Sequence, residues 1–492
     1  MEKISSYRDG KEIEFIEDNV VDVINPATGK VIAQQICCDA DGVNKIVESS
    51  KRAYNSDEWQ KMSPSERGVR LLKLADLVEA NAEKLAELEL LDTGKPITQL
   101  LNGEIPLTAA IIRFYAGASD KIEGRVKSTS NGTLQFTMYE PYGVVVGILP
   151  WNYPLVNVAM KVAPALAAGN AIVIKPSVDT PLTSVEFAKL CIEAGIPKGI
   201  VNVALGKGSA TGQHLIEHKD VKKISFTGST AIGQHIQRHA VEHMKSVNLE
   251  LGGKNAIIVF ADADLEKTAD AAIISAFVNA GQLCVSCSRL LVEESIQNEF
   301  QKILIAKLEK MKVGNPNEND TLVGPMITKA QYHTALDYIE VATDEGCSIM
   351  YGGSAKQMED ELSEGYWIEP TVVTDVKTDM QIATEEIFGP LLSIISFQDE
   401  KEAVEISNSV MYGLSGSVWT KDSSKALRMI KKLDTGIIWV NNMMDGYPQI
   451  SVPPHKMSGT GVELGIEGLM TYCKMKSAVI GYDDKAPVGW SL

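Results

Sequence analysis

The chain has 492 residues, 45% of them hydrophobic and 23% charged, so it is long enough for two or three globular domains with buried cores. Its formal net charge of -17 and pI near 5.0 argue against binding through nucleic-acid phosphates or an anionic membrane surface. No apolar run approaches the roughly 18 residues of a membrane-spanning helix, and no apolar signal core follows Met1, so a cytoplasmic location is expected.

The first predicted element is a helical region over residues 63–90, where apolar residues recur at helical spacing. Ser63 and Glu66 have the spacing of a capping box at its start. Residues 133–139 alternate polar and apolar side chains, which is typical of a half-exposed antiparallel strand. This strand could pair with the late apolar run at residues 477–481.

From residue 143 onward, short β-rich runs alternate with helical stretches. The predicted strands are 144–148, 171–174, 201–203 and 223–226, and the predicted helices are 158–168, 183–194 and 211–218. Because these strands are too apolar to face water on either side, they predict a parallel sheet covered by helices.

The alternation restarts after Gly252 and Gly253. Residues 255–260 and 288–292 are predicted strands, and a helical stretch between them runs through Ala280. This pattern predicts a second α/β domain.

Seven cysteines are scattered along the chain, an odd number that does not look like a secreted disulfide framework. Cys284 and Cys287 form a CxxC pair, but the second ligand pair of a zinc site is missing, so no metal is expected. Cys284 also follows a predicted helix and the flexible Gly281, which favours a nucleophile. A free cysteine by itself is more often a small buried hydrophobe.

Two further polar residues stand where a polar group is unusual. Glu250 ends an apolar strand directly before two glycines, where a carboxyl group with a raised pKa could act as a general base; a salt-bridged glutamate is the alternative. Asn152 lies between Pro150 and Pro154 at the end of another strand, where its amide could donate to an oxyanion. A turn asparagine that binds its own backbone is the alternative.

A glycine-containing turn over residues 226–233 leads from a strand into a helix, so its backbone N–H groups could meet a pyrophosphate. The rival turn, residues 206–212, is one residue too long for the standard dinucleotide fingerprint.

The segments around Asn152, Glu250 and Cys284, in this order and with Glu250 34 positions before Cys284, resemble the aldehyde dehydrogenase superfamily. The likeness covers nearly the whole chain and includes four further motifs, at residues 25–29, 91–96, 385–390 and 436–441.

The resemblance implies an α/β fold in three parts. A Rossmann-like cofactor domain would comprise residues 1–119 and 141–252, an α/β catalytic domain residues 253–452, and a small β oligomerisation element residues 120–140 and 467–492. A homodimer or homotetramer is implied as well, with no nucleic acid or membrane as partner.

The implied reaction is the oxidation of an aldehyde to its carboxylic acid with NAD+ or NADP+. The Cys284 thiolate would attack the carbonyl carbon, while the Asn152 side chain and the Cys284 backbone N–H hold the oxyanion. After hydride transfer, Glu250 would activate the water that hydrolyses the thioester. Enzymes of this superfamily that release acyl-CoA lack a carboxylate at this position, so Glu250 argues against coenzyme A as acceptor.

In the family, the Gly228–Ser229 turn lies by the pyrophosphate, Lys175 reaches the adenine-side ribose, Glu386 binds the nicotinamide ribose and Phe388 packs near the ring. The residues expected at the cofactor are Ile148, Leu149, Pro150, Trp151, Lys175, Ser177, Val178, Gly208, Gly228, Ser229, Gly233, Leu251, Glu386 and Phe388.

Three departures from the family pattern stand out. Val178 replaces the usual glutamate that binds the ribose 2′-hydroxyl of NAD, which leaves the preference for NAD or NADP open, since Asp179 could compensate in either direction. Val452, followed by two prolines, replaces an aromatic residue of the aldehyde tunnel, and Val462 replaces an arginine. The expected substrate pocket comprises Tyr153, Met160, Leu283, Val285, Met444 and Val452, and its methionines predict a wide, adaptable apolar wall.

Two other classes of protein stay open as alternatives. One is a binding or structural protein that kept this fold but lost catalysis, which would be expected to lack Cys284, Glu250 or Asn152. The other is a reductase or acylating enzyme that releases no free acid. For the substrate, the ring of Tyr153 could hold a cationic ammonium group, but Met160 weakens the aromatic box that such a cation needs.

Overall fold

The computed structural model describes residues 2–13, 19–128 and 133–482. Residues 129–132 and 483–492 of the expected oligomerisation element, and residues 1 and 14–18 of the expected cofactor domain, lie outside the described residues.

Five parallel strands form the centre of an eight-stranded sheet. In spatial order they are Ser246–Glu250, Val221–Thr227, Val144–Ile148, Ala171–Lys175 and Val201–Val203. The third and fourth of these strands are buried at every residue, as expected for a sheet covered on both faces, so the predicted parallel sheet is confirmed. Gly459–Thr460 pairs antiparallel at one edge, and Tyr7–Arg8 followed by Lys11–Glu12 form the other.

Helices pack around this sheet. They are Ala40–Tyr54, Pro64–Ala80, Ala82–Thr93, Ile105–Ala118, Pro154–Ala167, Leu182–Glu193, Gln213–Glu217 and Thr230–Ala240. The helical region predicted over residues 63–90 consists of two of these helices, and the predicted capping box between Ser63 and Glu66 is confirmed. The break comes at Asn81, whose side chain donates to the Leu77 carbonyl at 2.8 Å and ends the first helix.

The second α/β unit contains a seven-stranded sheet. In spatial order its strands are Ser348–Tyr351, Thr371–Thr374, Leu391–Phe397, Arg289–Glu293, Ala256–Val259, Ser415–Trp419 and Ile437–Val440. All neighbours are parallel except the first pair. The helices of this unit are Leu265–Phe277, Gln297–Leu308, Lys329–Asp344, Gln381–Thr384, Glu400–Asn408 and Ser423–Lys432. The predicted second α/β unit is therefore confirmed.

A small antiparallel sheet joins two distant parts of the chain. Thr133–Pro141 pairs with Cys473–Gly481, so that Thr137 lies opposite Ser477, and Val126–Lys127 adds a short third strand. The pairing predicted between residues 133–139 and 477–481 is confirmed. Met475, Val479 and Ile480 on this sheet are exposed.

The remaining elements are short or lie at the periphery. Glu2–Ile4, Lys30–Ile36 and Val20–Asn25 form a three-stranded sheet, and Tyr412–Gly413 pairs with His455–Lys456. The other short helices are Asp57–Gln60, Ile97–Gln99, Leu100–Glu104, Gly208–Gly212, Val241–His243, Val278–Gly281, Glu294–Ile296, Asp360–Leu362 and Gly465–Met470. Across residues 2–13, 19–128 and 133–482, no helix is long and apolar enough to cross a membrane.

Candidate active site

Asn152 lies just beyond the carboxyl end of the buried strand Val144–Ile148. Its hydrogen bonds connect the first α/β unit to the second. Its side-chain amide donates to the Gln282 carbonyl at 3.0 Å, and its own carbonyl accepts from the Asn279 amide at 3.2 Å. An asparagine amide has two N–H donors, so one remains for a ligand. These contacts place the Asn152 side chain beside the segment that contains Cys284.

The α-helix predicted through Ala280 stops earlier, contrary to the sequence prediction, and the short turn Val278–Gly281 takes its place before Cys284. The helix ends at Phe277, and Asn279, Ala280 and Gly281 all have positive φ, at 52°, 52° and 72°. Close packing explains this path, because a side chain at Gly281 would lie 2.2 Å from the Gly389 carbonyl oxygen. Left-handed backbone costs about 1–2 kcal/mol at each residue other than glycine, so surrounding contacts must stabilise this turn.

Asn255 and Gln282 provide such contacts. The Asn255 amide donates to the carbonyl oxygens of Cys284 at 2.8 Å and Ser286 at 2.9 Å. The Gln282 side chain accepts from the Ile327 N–H at 2.9 Å. Buried amides that bridge three separate segments hold the thiol segment in one conformation.

The Cys284 thiol is half-buried among negative charges. Burial raises the pKa of Cys284 to about 12, and the carboxylates of Glu250 and Glu386 raise it further, whereas the backbone N–H groups of Val285 and Cys284 lower it by donating to the sulfur. In this state the thiol is protonated at neutral pH. The backbone N–H groups of Val285 and Cys284 would also stabilise a negative charge that develops on the reacting atoms beside the sulfur.

Glu250 ends the strand Ser246–Glu250 and is buried. Its Oε1 has no hydrogen-bond partner among the described residues. Burial raises the pKa of Glu250 well above the usual value, and the negative charge of Glu463 raises it further, while Lys161 acts in the opposite direction. A buried carboxyl group with a free oxygen and a raised pKa is suited to accept a proton from a water or a thiol.

Lys161 and Glu463 form a buried ion pair next to Glu250 that sequence reasoning missed. The Lys161 ammonium also donates to the Thr227 hydroxyl at 2.7 Å. Lys161 is the one charged residue of the otherwise largely apolar helix Pro154–Ala167, and this isolated charge is the signal that could have revealed it. Nothing in the sequence marks Glu463 as its partner.

The Gly228–Ser229 turn connects the strand Val221–Thr227 to the helix Thr230–Ala240, as predicted. Ser229 caps this helix, yet its side chain makes no capping hydrogen bond. The Gly228 N–H donates to the Glu250 carbonyl at 3.0 Å, and a side chain at Gly233 would lie 2.5 Å from Leu251. The turn therefore lies close to Glu250, and the start of its helix leaves backbone N–H groups for an anion.

Lys175 ends the strand Ala171–Lys175, and its buried ammonium donates to the Pro176 carbonyl at 2.8 Å. Burial lowers the pKa of Lys175 to about 8. The rival glycine turn is also close, because a side chain at Gly212 would lie 3.8 Å from the Lys175 side chain. Val178 and Asp179 follow; the Gln35 amide donates to the Val178 carbonyl at 2.5 Å, and the Ser177 hydroxyl donates to Asp179 at 3.0 Å.

Glu386 and Phe388 come from the second α/β unit and meet the first. The Gly253 N–H donates to Glu386 Oε1 at 2.9 Å, and a side chain at Gly252 would lie 2.2 Å from Oε2. Burial raises the pKa of Glu386 to about 7. Phe388 has a positive φ of 56°, and its ring meets the Trp151 ring edge to face at 5.2 Å. Ile148 and Leu149 at the end of the strand Val144–Ile148 are buried, and so is Leu251, which follows the strand Ser246–Glu250.

The predicted substrate residues lie in several parts of the structure. Leu283 and Val285 flank the Cys284 thiol in the chain, and Tyr153 and Met160 pack on the core of the first unit. Val452 pairs with Glu463 through two backbone hydrogen bonds, of 2.7 and 3.2 Å. Met444 is half-buried with a positive φ of 63°.

Two contacts in this region were not foreseen. The Lys95 ammonium lies over the Tyr153 ring, 4.1 Å from its centroid, and is itself paired with Glu104 at 2.6 Å. One face of the Tyr153 ring is therefore already occupied by a cation. Met443, the neighbour of Met444, reaches Cys287, with 3.8 Å between the two sulfur atoms.

Comparisons with known proteins identify the family of this chain. The model of the aldehyde dehydrogenase family matches residues 15–478. The chain belongs to the aldehyde dehydrogenase family. A putative aldehyde dehydrogenase from Burkholderia cenocepacia has the same fold, with a TM-score of 0.97 and 38% identity over 100% of both chains. The α/β fold expected from the resemblance is thereby confirmed.

Relatives within the family differ in length and in name. Betaine aldehyde dehydrogenase of Bacillus subtilis is 40% identical over 98% of both chains. A Staphylococcus aureus betaine aldehyde dehydrogenase, solved in complex with NAD+, has a TM-score of 0.95 and 37% identity over 99% of this chain and 97% of its own. Cytosolic 10-formyltetrahydrofolate dehydrogenase of Xenopus tropicalis is 40% identical over 97% of this chain, which spans only 53% of that relative.

Proposed function

We propose that this aldehyde dehydrogenase oxidises an aldehyde to the free carboxylic acid with NAD+ or NADP+, using Cys284 as nucleophile and Glu250 as base. The observation that supports this most directly is the meeting of three groups from separate elements. The Asn152 amide is bonded to the Gln282 carbonyl two residues before Cys284, and the charge of Glu250 acts on the thiol.

The first step is attack of the Cys284 sulfur on the carbonyl carbon, with the thiol proton passing to Glu250. This transfer needs a proton acceptor, since burial holds the thiol protonated, and Glu250 has a raised pKa and a free oxygen. The new oxyanion takes its hydrogen bonds from the second N–H of Asn152 and from the Cys284 backbone N–H. Such donors are preorganised, because the contacts of Asn255 and Gln282 hold the segment before any substrate binds.

A nicotinamide cofactor held by the residues described below would supply the hydride acceptor for the thiohemiacetal carbon, and loss of that hydride would leave a thioester on Cys284. Glu250 first releases the thiol proton to solvent and then, as a carboxylate, removes a proton from water, so that hydroxide attacks the thioester carbon. The carboxylic acid forms as the Cys284 thiolate departs, and the proton held by Glu250 can return to that thiolate. The Lys161–Glu463 pair influences how readily Glu250 takes up and releases that proton.

Several residues fit the dinucleotide. The Gly228–Ser229 turn would receive the pyrophosphate, since its helix start has free N–H groups and a serine without a capping bond. Lys175 would bind the adenine-side ribose, Glu386 the nicotinamide ribose, and Phe388 the ring edge. The close approach of Gly252 to the Glu386 carboxyl group, which a side chain at Gly252 would prevent, holds Glu386 in position for this role. Related enzymes have been solved in complex with NAD+, which supports a nicotinamide dinucleotide as the cofactor.

The experiment that tests this function measures the product. Purified enzyme, an aldehyde panel and each cofactor are combined, and acid and reduced cofactor are quantified. We expect equal amounts of free acid and reduced cofactor without coenzyme A. A requirement for coenzyme A, with a thioester as product, would instead favour an acylating enzyme.

The substrate expectation is an uncharged aliphatic or aromatic aldehyde rather than a cationic one. Lys95 already occupies one face of the Tyr153 ring, so that face is closed to a cationic substrate. Betaine aldehyde is an informative test substrate, because relatives of this chain are named betaine aldehyde dehydrogenase. Activity on betaine aldehyde that exceeds activity on uncharged aldehydes of similar size would refute the expectation.

The domain division, the homo-oligomer and the cytoplasmic location remain predictions. The exposed apolar side chains Met475, Val479 and Ile480 on the small antiparallel sheet support a second copy of the chain as the partner there. We expect a dimer or tetramer by light scattering, and a monomer after Val479→Asp together with Met475→Asp.

A further inference from the structure

The second glycine turn, residues 206–212, packs against Cys37 and Cys38, which directly follow the strand Lys30–Ile36. Gly206 has a φ of 140°, and a side chain there would lie 2.1 Å from the Thr211 hydroxyl and 3.3 Å from Cys37. The Thr211 hydroxyl in turn donates to the Cys38 carbonyl at 2.6 Å. The turn therefore keeps one conformation, and its residues have defined positions relative to Lys175.

Lys207 is the cation of this turn. Its backbone N–H donates to the Cys37 thiol, whereas its side chain is exposed and has no hydrogen bond or ion pair with any residue that the structure describes. Burial raises the pKa of the Cys37 thiol, and the ammonium groups of Lys207 and Lys175 both lower it. Two cations from different strand ends therefore act on the same point beside Cys37.

Few groups in this region would repel a bound phosphate. Val178 contributes no carboxylate, and its carbonyl is already bonded to the Gln35 amide. Asp179 is turned back onto the Ser177 hydroxyl at 3.0 Å, and burial raises its pKa while the Ser177 hydrogen bond and the Lys175 ammonium lower it. Two ammonium groups, those of Lys175 and Lys207, therefore stand against the single carboxylate of Asp179.

We propose that Lys207 is a cofactor-specificity residue that binds the 2′-phosphate of NADP+ together with Lys175. This inference rests on the proposed function and deepens it, because it uses the adenosine position assigned there to Lys175. A dianionic phosphate between two ammonium groups gains charge-assisted hydrogen bonds that a ribose hydroxyl cannot match. Lys207 is exposed, so its contribution decreases with ionic strength.

The test compares two probes that differ only in the phosphate, 2′,5′-ADP and 5′-AMP, titrated calorimetrically into the intact enzyme at low and high salt. We expect Lys207→Gln to weaken 2′,5′-ADP binding about tenfold and 5′-AMP binding less than twofold. Lys207→Arg should retain the wild-type preference, since it keeps the charge. Lys73→Gln, which removes an exposed lysine from the helix Pro64–Ala80, controls for the change in net charge.

The ratio of kcat/KM for NADP+ to that for NAD+ should fall in Lys207→Gln by the same factor as the probe affinity. Equal weakening of both probes, or an unchanged ratio with retained aldehyde oxidation, would overturn the role of Lys207. Wild-type enzyme that binds neither probe and oxidises no aldehyde would refute the proposed function itself, which is a different outcome.

Discussion

The buried pair Lys161–Glu463 leads to a prediction with opposite signs for its two members. Both are positioning residues that act on Glu250: the negative charge of Glu463 raises its pKa and the positive charge of Lys161 lowers it. Glu463→Gln should therefore lower the pKa of Glu250, and Lys161→Met should raise it. A disturbance of packing alone would move both variants in the same direction.

The expected size follows from the pairing. Because Lys161 and Glu463 act on Glu250 in opposite directions, removing either one leaves the field of the other uncompensated, so each variant should shift the pKa by the full contribution of the residue removed. One pKa unit corresponds to about 1.4 kcal/mol, or tenfold in the ionised fraction of Glu250 on the acid limb. Lys161→Met also leaves Glu463 buried without a partner and should cost about 3–5 kcal/mol of stability.

The assay is a single-turnover quench that follows release of the acid from the acyl-enzyme between pH 5 and 9. As the pH falls through its pKa, Glu250 becomes protonated and the hydrolysis rate declines. The midpoint of this decline should move to lower pH in Glu463→Gln and to higher pH in Lys161→Met, with similar plateaus at alkaline pH. Midpoints that stay together, or that move in the same direction, would refute the electrostatic reasoning.

Three further predictions concern the reacting groups and the cofactor. Cys284→Ala should abolish oxidation while leaving NAD+ binding by calorimetry nearly intact, because the thiol forms the covalent bond; substantial remaining turnover would exclude it as the nucleophile. Asn152→Ala should reduce the rate of hydride transfer about 10²–10³-fold in stopped-flow measurements if its amide is one of two oxyanion donors, and a loss of only a few-fold would leave it a structural role. Val178→Glu should shift the ratio of kcat/KM values toward NAD+ about ten- to a hundred-fold, as charge-assisted hydrogen bonds of roughly 1.5–3 kcal/mol imply. An unchanged ratio would mean that Asp179 or the neighbouring turn governs the preference.

Much of the architecture could be predicted from the sequence because its signals are local. Buried parallel strands such as Val144–Ile148 need uninterrupted apolar residues, and the helix at Pro64 needs a cap, which Ser63 and Glu66 provide. Asn152 and Glu250 were found because each is a polar residue at the end of an apolar strand, where parallel strands present their carboxyl ends together.

The local sequence did not predict the backbone conformation where it depends on contacts with distant parts of the chain. Residues 278–280 have helical composition, yet Asn279 and Ala280 are left-handed, because the chain must pass within reach of the Gly389 carbonyl and place Gln282 against Asn152. Propensity contributes only tenths of a kcal/mol per residue there, and tertiary contacts exceed it.

The electrostatics of the site were decided by tertiary structure alone. Lys161 and Glu463 are separated by 302 positions in the chain, and no periodicity links them, yet after burial their charges are the next influences on the pKa of Glu250. Lys95 was an ordinary motif lysine in the sequence, and only the folded chain places its ammonium over the Tyr153 ring. Charges interact through space at distances that sequence separation does not encode. The sequence therefore suffices to propose Cys284, Glu250 and Asn152 as reacting groups, whereas the charges that act on them depend on the fold.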